Sequence, residues 1–164
     1  MTMPKPKLPG VEADRVAPKL WQGSYPRPPL KPGEALYGPK VLDVPASIAL
    51  LRAAGVTRWV RVAFELPHDF KMDDVLSHHE NFAPSVQQAH AAADAVIGHL
   101  RHGHRVLVSC NQGRNRSGLV VGLVLVRYLG LSGEEAYGRI VAARGPGALA
   151  NESFRHYLCR QART

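Results

Sequence analysis

Cysteine is scarce in this chain: Cys110 and Cys159 are the only two among 164 residues. Two thiols cannot staple a fold, and so few suit a reducing compartment. Long apolar runs are missing as well. The longest stretch, Leu119 to Val126, falls far short of the ~20 residues that cross a bilayer as a helix. The N-terminus is rich in Pro and Lys and lacks the apolar centre of a secretory signal, so a soluble, cytoplasmic protein is expected. No segment repeats another. Negative charge is the minority sign, with 13 Asp plus Glu against 21 Lys plus Arg and a net charge of +8. The resulting pI near 9.9 suits anionic partners, whether phosphoproteins, nucleic acid or acidic lipid, without choosing among them. The length is one domain's worth.

What the chain does have is one dense segment, Val106 to Val121, reading VLVSCNQGRNRSGLVV. A β-branched apolar run enters a polar turn containing glycine, and a second apolar run leaves it, the pattern of buried strand, tight loop and helix. The N–H groups at such a helix start have no intrahelical partner and carry the positive end of the dipole, so the loop can bind a tetrahedral oxyanion. Cys110 in that field would sit as a thiolate nucleophile. Gly113 lets the backbone turn without a Cβ clash. The five residues between Cys110 and Arg116 let the chain circle back, so that the guanidinium can fork onto two oxygens above the sulfur. Ser117 can donate a hydrogen bond to the thiolate when it departs. A cysteine ending a buried strand is also commonly a small core residue. The strand before, the glycine within, Ser-Gly after the arginine and the helix beyond argue jointly against that plainer reading.

These residues resemble the phosphate-binding loop of the cysteine-dependent protein tyrosine phosphatase superfamily, whose pattern is His-Cys-x5-Arg-Ser/Thr-Gly. The late position of the loop in a short chain is similar to the dual-specificity branch. The resemblance implies an α/β, three-layer fold with a small, mostly parallel central sheet flanked by helices. It also implies a cradle of Asn111, Gln112, Gly113, Arg114, Asn115 and Arg116 around the phosphate. Ser109 stands where the family usually has His, which there supports the loop and the ionised cysteine. Serine can still hydrogen-bond, so a less ionised thiol is expected, not a dead site.

Along the chain, residues 1–19 carry Pro4, Pro6, Pro9 and Pro18 and are expected to form an extended arm, with 20–164 as the single phosphatase domain. Leu20 to Ser24 reads as a first strand, similar to the family's Leu-x-x-Gly-Ser opening, and Tyr25 to Pro45 as a long loop. A helix from Ser47 to Ala54 stops at Gly55. Val56 to Phe64 alternates Val60, Val62 and Phe64 on one face, as a strand does. Glu65 to Phe82 is polar. A helix runs from Pro84 to about His102, then strand Arg105–Ser109, the loop, and a helix from Ser117 to Leu129. Ser132 and Glu135 form a capping box opening a helix to about Arg144, and Asn151 caps a last helix, Glu152 to Gln161. Trp21 and Trp59 read as core.

Breaking a phosphate ester also needs a proton for the leaving oxygen, a contribution of ~10²–10⁴-fold from a placed acid. In the family an Asp some thirty residues before the cysteine supplies it. Phe70 to Asp74 looks like the family's short strand ending in that acid, so Asp74 ranks first, Asp73 second and Asp69 third. All three are otherwise solvated loop carboxylates. The stretch ARGPGALANESFRHYL is similar to the family's Arg…Asn-x-x-Phe-x-x-x-Leu segment, whose Asn braces the loop, which makes Asn151 a supporting residue or a plain helix cap. His78, His79 and Glu80 do not complete a metal site, because adjacent histidines point apart on a regular element. No metal and no cofactor are expected.

Three functions follow from the resemblance. The first is a phosphatase acting on phosphotyrosine, and on phosphoserine or phosphothreonine, in proteins. The second keeps the chemistry with an RNA 5′-phosphate or a phosphoinositide as substrate, motivated by Gly113-x-Asn115-Arg116 and the extra cation Arg114. The third is a module that binds phosphate without turnover, motivated by Ser109.

Overall fold

Strand β5 (Val106–Ser109) lies at the centre of the molecule, and every one of its residues is buried. In the computed structural model, which describes residues 8, 10–26, 32, 44–62, 76–79, 86–110 and 112–164, β5 has a parallel neighbour on each side. These are β2 (Leu20–Gly23) and β3 (Arg58–Arg61). Two edge strands complete the sheet, antiparallel β1 (Ala13–Ala17) beside β2 and parallel β4 (Leu76–His79) beside β3. The order is β1-β2-β5-β3-β4, the small, mostly parallel sheet that was expected.

Helices cover both faces. Helix α1 (Val44–Ala53) seals one side, where Ile48 and Leu51 pack with Trp21, Trp59 and Leu107. On the other lie α2 (Val86–Arg101) and α3 (Arg116–Leu129), backed by α4 (Gly133–Arg144) and α5 (Glu152–Cys159). There Val60, Val62, Val106 and Val108 meet Val96, Leu100, Val120 and Val124. A sheet buried on both faces needs apolar residues in unbroken runs, which is why β5 reads as one. The α3 helix is buried from Ser117 through Val126, in keeping with apolar residues all round its circumference. Among the described residues no helix is long and apolar enough to cross a membrane.

Two stretches differ from the sequence reading. Residues 13–17, expected within the extended arm, form β1 and pair with β2, Ala13 opposite Gly23 and Arg15 opposite Trp21. Pro18 follows the strand and does not interrupt it, so no ladder hydrogen bond is lost to it. The buried side chains of Leu8, Val11, Ala13 and Val16 tie the segment to the core. Within the polar stretch Glu65–Phe82, Leu76–His79 forms β4. An edge strand needs one neighbour, so Leu-Ser-His-His can extend a sheet that its composition does not advertise.

Candidate active site

The registers align Gly23, Ser109, Arg61 and His79 in one row across the sheet. All four close parallel strands, so the row marks the carboxyl edge, where open α/β sheets place their ligands. Cys110 is the next residue after Ser109. It is a free thiol, 2% exposed. Its Sγ lies 3.3 Å from Ser117 Oγ in the first turn of α3, within hydrogen-bonding reach. Arg116 opens the same turn and is half-buried. Thiol, hydroxyl and guanidinium-bearing turn are thus brought together by one loop. Gln112 and Arg114 are exposed on its surface, while Gly113 is buried and Asn115 half-buried. Asn111 lies outside the described residues.

The loop's conformation is set from behind. Gly113 O accepts hydrogen bonds from Gln22 Nε2 and Arg144 Nε, each at 3.2 Å. Arg114 O accepts from the Leu149 amide at 3.3 Å and from Gln22 Nε2 at 3.5 Å. In a trans peptide the C=O and the following N–H point to opposite sides. With both carbonyls drawn to the rear, the amides of Arg114 and Asn115 face away from the braces. Arg144 is itself held by Asp14 Oδ2 at 3.0 Å, a pair only 7% and 14% exposed. Leu149 sits at φ +54°, an uncommon angle for a residue with a Cβ, with its side chain fully buried.

Gly113 is required twice over. Its φ of +65° is left-handed, and a Cβ there would stand 2.2 Å from the Gly23 carbonyl carbon and 2.4 Å from Ser24 N. Asn115 occupies the N-cap of α3 yet lends that helix no side-chain oxygen. Its Oδ1 instead accepts from the Asn151 amide at 2.7 Å. The N-terminal donors of α3 therefore lack a side-chain cap, the arrangement that suits an incoming anion. Asn151 joins the loop to α5 through its main chain, while its own side chain caps α5 at Phe154 N, 3.0 Å away.

Ser109, at the position of the family's histidine, accepts a 2.8 Å hydrogen bond from Trp59 Nε1 and is fully buried. Asp69, Asp73 and Asp74 lie outside the described residues. Of the braces Gln22, Arg144 and Asp14, only Arg144 lay in a motif noted from sequence, as the arginine of the Arg…Asn-x-x-Phe segment, and no role was given to it there. Gln22, an amide in an otherwise apolar strand, was a further signal. A cavity of about 400 Å³ bounded by Glu12, Asp14, Arg114, Arg144 and the turn Gly145–Ala148 adjoins the loop on the side of these braces.

A parallel sheet, a cysteine at the carboxyl end of its central strand and an arginine opening the next helix define the cysteine-dependent phosphatase architecture. The family model for the dual specificity phosphatase catalytic domain matches residues 53–164, and the chain belongs to that family. Human DUSP28 is similar over 94% of each chain, with 26% identity and a TM-score of 0.66. A mouse dual-specificity-phosphatase-like protein complexed with zinc tungstate is similar over 96% of this chain and 90% of its own, at 25% identity and a TM-score of 0.68. The human tyrosine phosphatase-like serine/threonine/tyrosine-interacting protein shares the fold at 18% identity and a TM-score of 0.67, with 90% of this chain and 93% of its own covered. No curated protein matches the sequence.

Proposed function

We propose that this phosphatase-family chain hydrolyses phosphotyrosine, and phosphoserine or phosphothreonine, in protein substrates through a cysteinyl-phosphate intermediate. The Cys110 thiolate attacks phosphorus, an S–P bond forms, and the P–O ester bond breaks. The leaving oxygen takes a proton from a carboxylic acid, for which Asp74 is the assignment. The resulting carboxylate then takes a proton from water as that water attacks phosphorus. The S–P bond breaks, inorganic phosphate leaves, and Ser117 donates to the released thiolate. Arg116 and the loop amides hold the equatorial oxygens throughout.

The observation that carries this reading is the Cys110–Ser117 contact at 3.3 Å within a loop whose carbonyls are drawn outward. The mouse relative complexed with zinc tungstate lends support, since tungstate is a tetrahedral dianion like the phosphoryl group. A second carboxylate competes for the acid's role. Glu80 follows His79, which shares the row of Ser109, so in sequence it succeeds β4 as Cys110 succeeds β5. Glu80 lies outside the described residues, and Asp74 precedes β4. Comparing Asp74→Ala with Glu80→Gln decides between them: the acid's variant loses turnover on alkyl phosphates far more than on substrates with good leaving groups.

Arg114, exposed beside the 400 Å³ cavity, keeps polyanionic substrates in view. The test is a panel of phosphopeptides, 5′-phosphorylated RNA and phosphoinositides with Cys110→Ser as the blank. Turnover of phosphopeptides that the blank lacks supports the proposal. Preference for RNA or lipid by orders of magnitude moves the substrate class. Tight phosphopeptide binding without turnover leaves a binding module.

A further inference from the structure

Arg61 ends β3 in the row of Ser109 and is fully buried. Among the described residues its guanidinium takes no hydrogen bond of regular geometry, and Tyr25 is the neighbour that favours its charged form. A buried charge so thinly partnered among the described residues is costly, so its place beside the nucleophile's strand asks for a use. Its surroundings form a short chain. The Arg61 guanidinium carbon lies 5.2 Å from the Trp59 ring centre. Trp59 Nε1 donates to Ser109 Oγ at 2.8 Å, and Ser109 is bonded covalently to Cys110. Tyr25 packs edge-on against the same indole, centroids 4.9 Å apart. A cation on the ring face polarises the indole and makes its N–H a stronger donor.

We propose that Arg61 is a positioning residue for the phosphatase reaction, giving through Trp59 and Ser109 the support for an ionised Cys110 that the family's histidine gives. The inference rests on the phosphatase reading for its purpose, though not for its test. Among the described residues, Arg114 and Arg116 in the loop and the start of α3, and the Arg144–Asp14 pair behind the loop, also carry charge near Cys110. Burial holds the Arg61 pKa below its ordinary value, with Tyr25 opposing part of that effect. Two strand spacings of about 4.8 Å each, or roughly 9 Å, set the length scale for the effect. At an effective dielectric of about 20, a unit charge at that distance changes the stability of an anion by roughly 20-fold.

The test uses the full chain in a Cys159→Ser background, so that iodoacetamide reports Cys110 alone. Arg61→Met removes the charge and keeps the volume; Arg61→Lys keeps the charge. At one fixed, mildly acidic pH, Arg61→Met is expected to alkylate roughly ten- to thirtyfold more slowly than the parent. Arg61→Lys should recover most of the rate, and Arg61→Met should melt no lower than the parent, because a desolvated charge has gone. Trp59→Phe, which keeps the ring and deletes the donor to Ser109, should slow alkylation several-fold. A folded Arg61→Met that alkylates at the parental rate overturns the proposal. So does failure of both Arg61→Met and Arg61→Gln to fold while Arg61→Lys folds, which would mark a purely structural charge. Alkylation needs no phosphate ester, so a parent that turns over none sinks the phosphatase reading separately.

Discussion

Replacing Gly113 by alanine tests whether the loop from Cys110 to Arg116 is held by contact from behind. The new Cβ would meet the Gly23 carbonyl carbon at 2.2 Å, where ordinary contact begins near 3.4 Å, so the loop must retreat by about 1 Å, a misplacement that can cost ~10²-fold in rate. An alanine at φ +65° adds about 1–2 kcal/mol of backbone strain, and forcing a methyl into a packed site adds about 1–3 kcal/mol. At 2–4 °C per kcal/mol for a domain of this size, the melting temperature should fall by roughly 5–15 °C. Gly138→Ala is the matched control, since a Cβ there meets nothing within 4 Å. In the α4 interior it should stabilise by about 0.5–1 kcal/mol. Steady-state kinetics on a phosphotyrosine peptide, paired with thermal melts, measure both. A Gly113→Ala protein with parental melting temperature and kcat would refute the close-packed loop.

The Asp14–Arg144 pair should behave as one unit. Because it is nearly buried, solvent screens it little. Asp14→Asn and Arg144→Met should each lower kcat about tenfold or more, and the double variant should be scarcely worse than Arg144→Met. Additive losses would show that Arg144 braces the loop without Asp14. Ser117→Ala should slow the second chemical step more than the first, so that a burst of released alcohol appears before the steady state; a uniform slowing of both steps would speak against the hydroxyl's role at the departing thiolate. The Glu135 carboxylate accepts from the Ser132 amide at 2.7 Å, and this bond first, then Ser132 Oγ and Arg163, holds its pKa below the ordinary glutamate value. A carboxylate depressed in the folded state stabilises above the unfolded pKa and loses that stabilisation as pH falls through the folded one. Glu135→Gln should therefore melt lower than the parent at neutral pH, with the gap closing below the usual glutamate pKa. A gap that widens on acidification would reverse the sign.

The strand–loop–helix around Cys110 was legible because its parts are local: sixteen successive residues contain the apolar run, the turn glycine and the helix start. The Ser132–Glu135 capping box and the Asn151 cap were legible for the same reason. The braces were not, since Gln22 reaches the loop across 91 positions and Asp14 reaches Arg144 across 130. Pairing over such distances leaves no periodic trace. Arg61 shows a different failure. Alternation placed Val60 and Val62 on one face of β3 and said nothing of a buried charge on the other. That face is covered by α1, and Trp59, two positions earlier, was read as core and is fully buried, yet an arginine beside it has no apolar signature to mark it as buried. Strand β1 hid among prolines that border it, and β4 hid because an edge strand tolerates polar residues.

Rapid quenching of a turnover mixture with labelled phosphopeptide, followed by peptide mapping, tests the central claim most directly. One phosphoryl group should be found on the peptide carrying Cys110, accumulating further in Ser117→Ala and vanishing in Cys110→Ser. Turnover with the phosphoryl group on another residue, or passing straight to water while Cys110→Ser stays active, would contradict it.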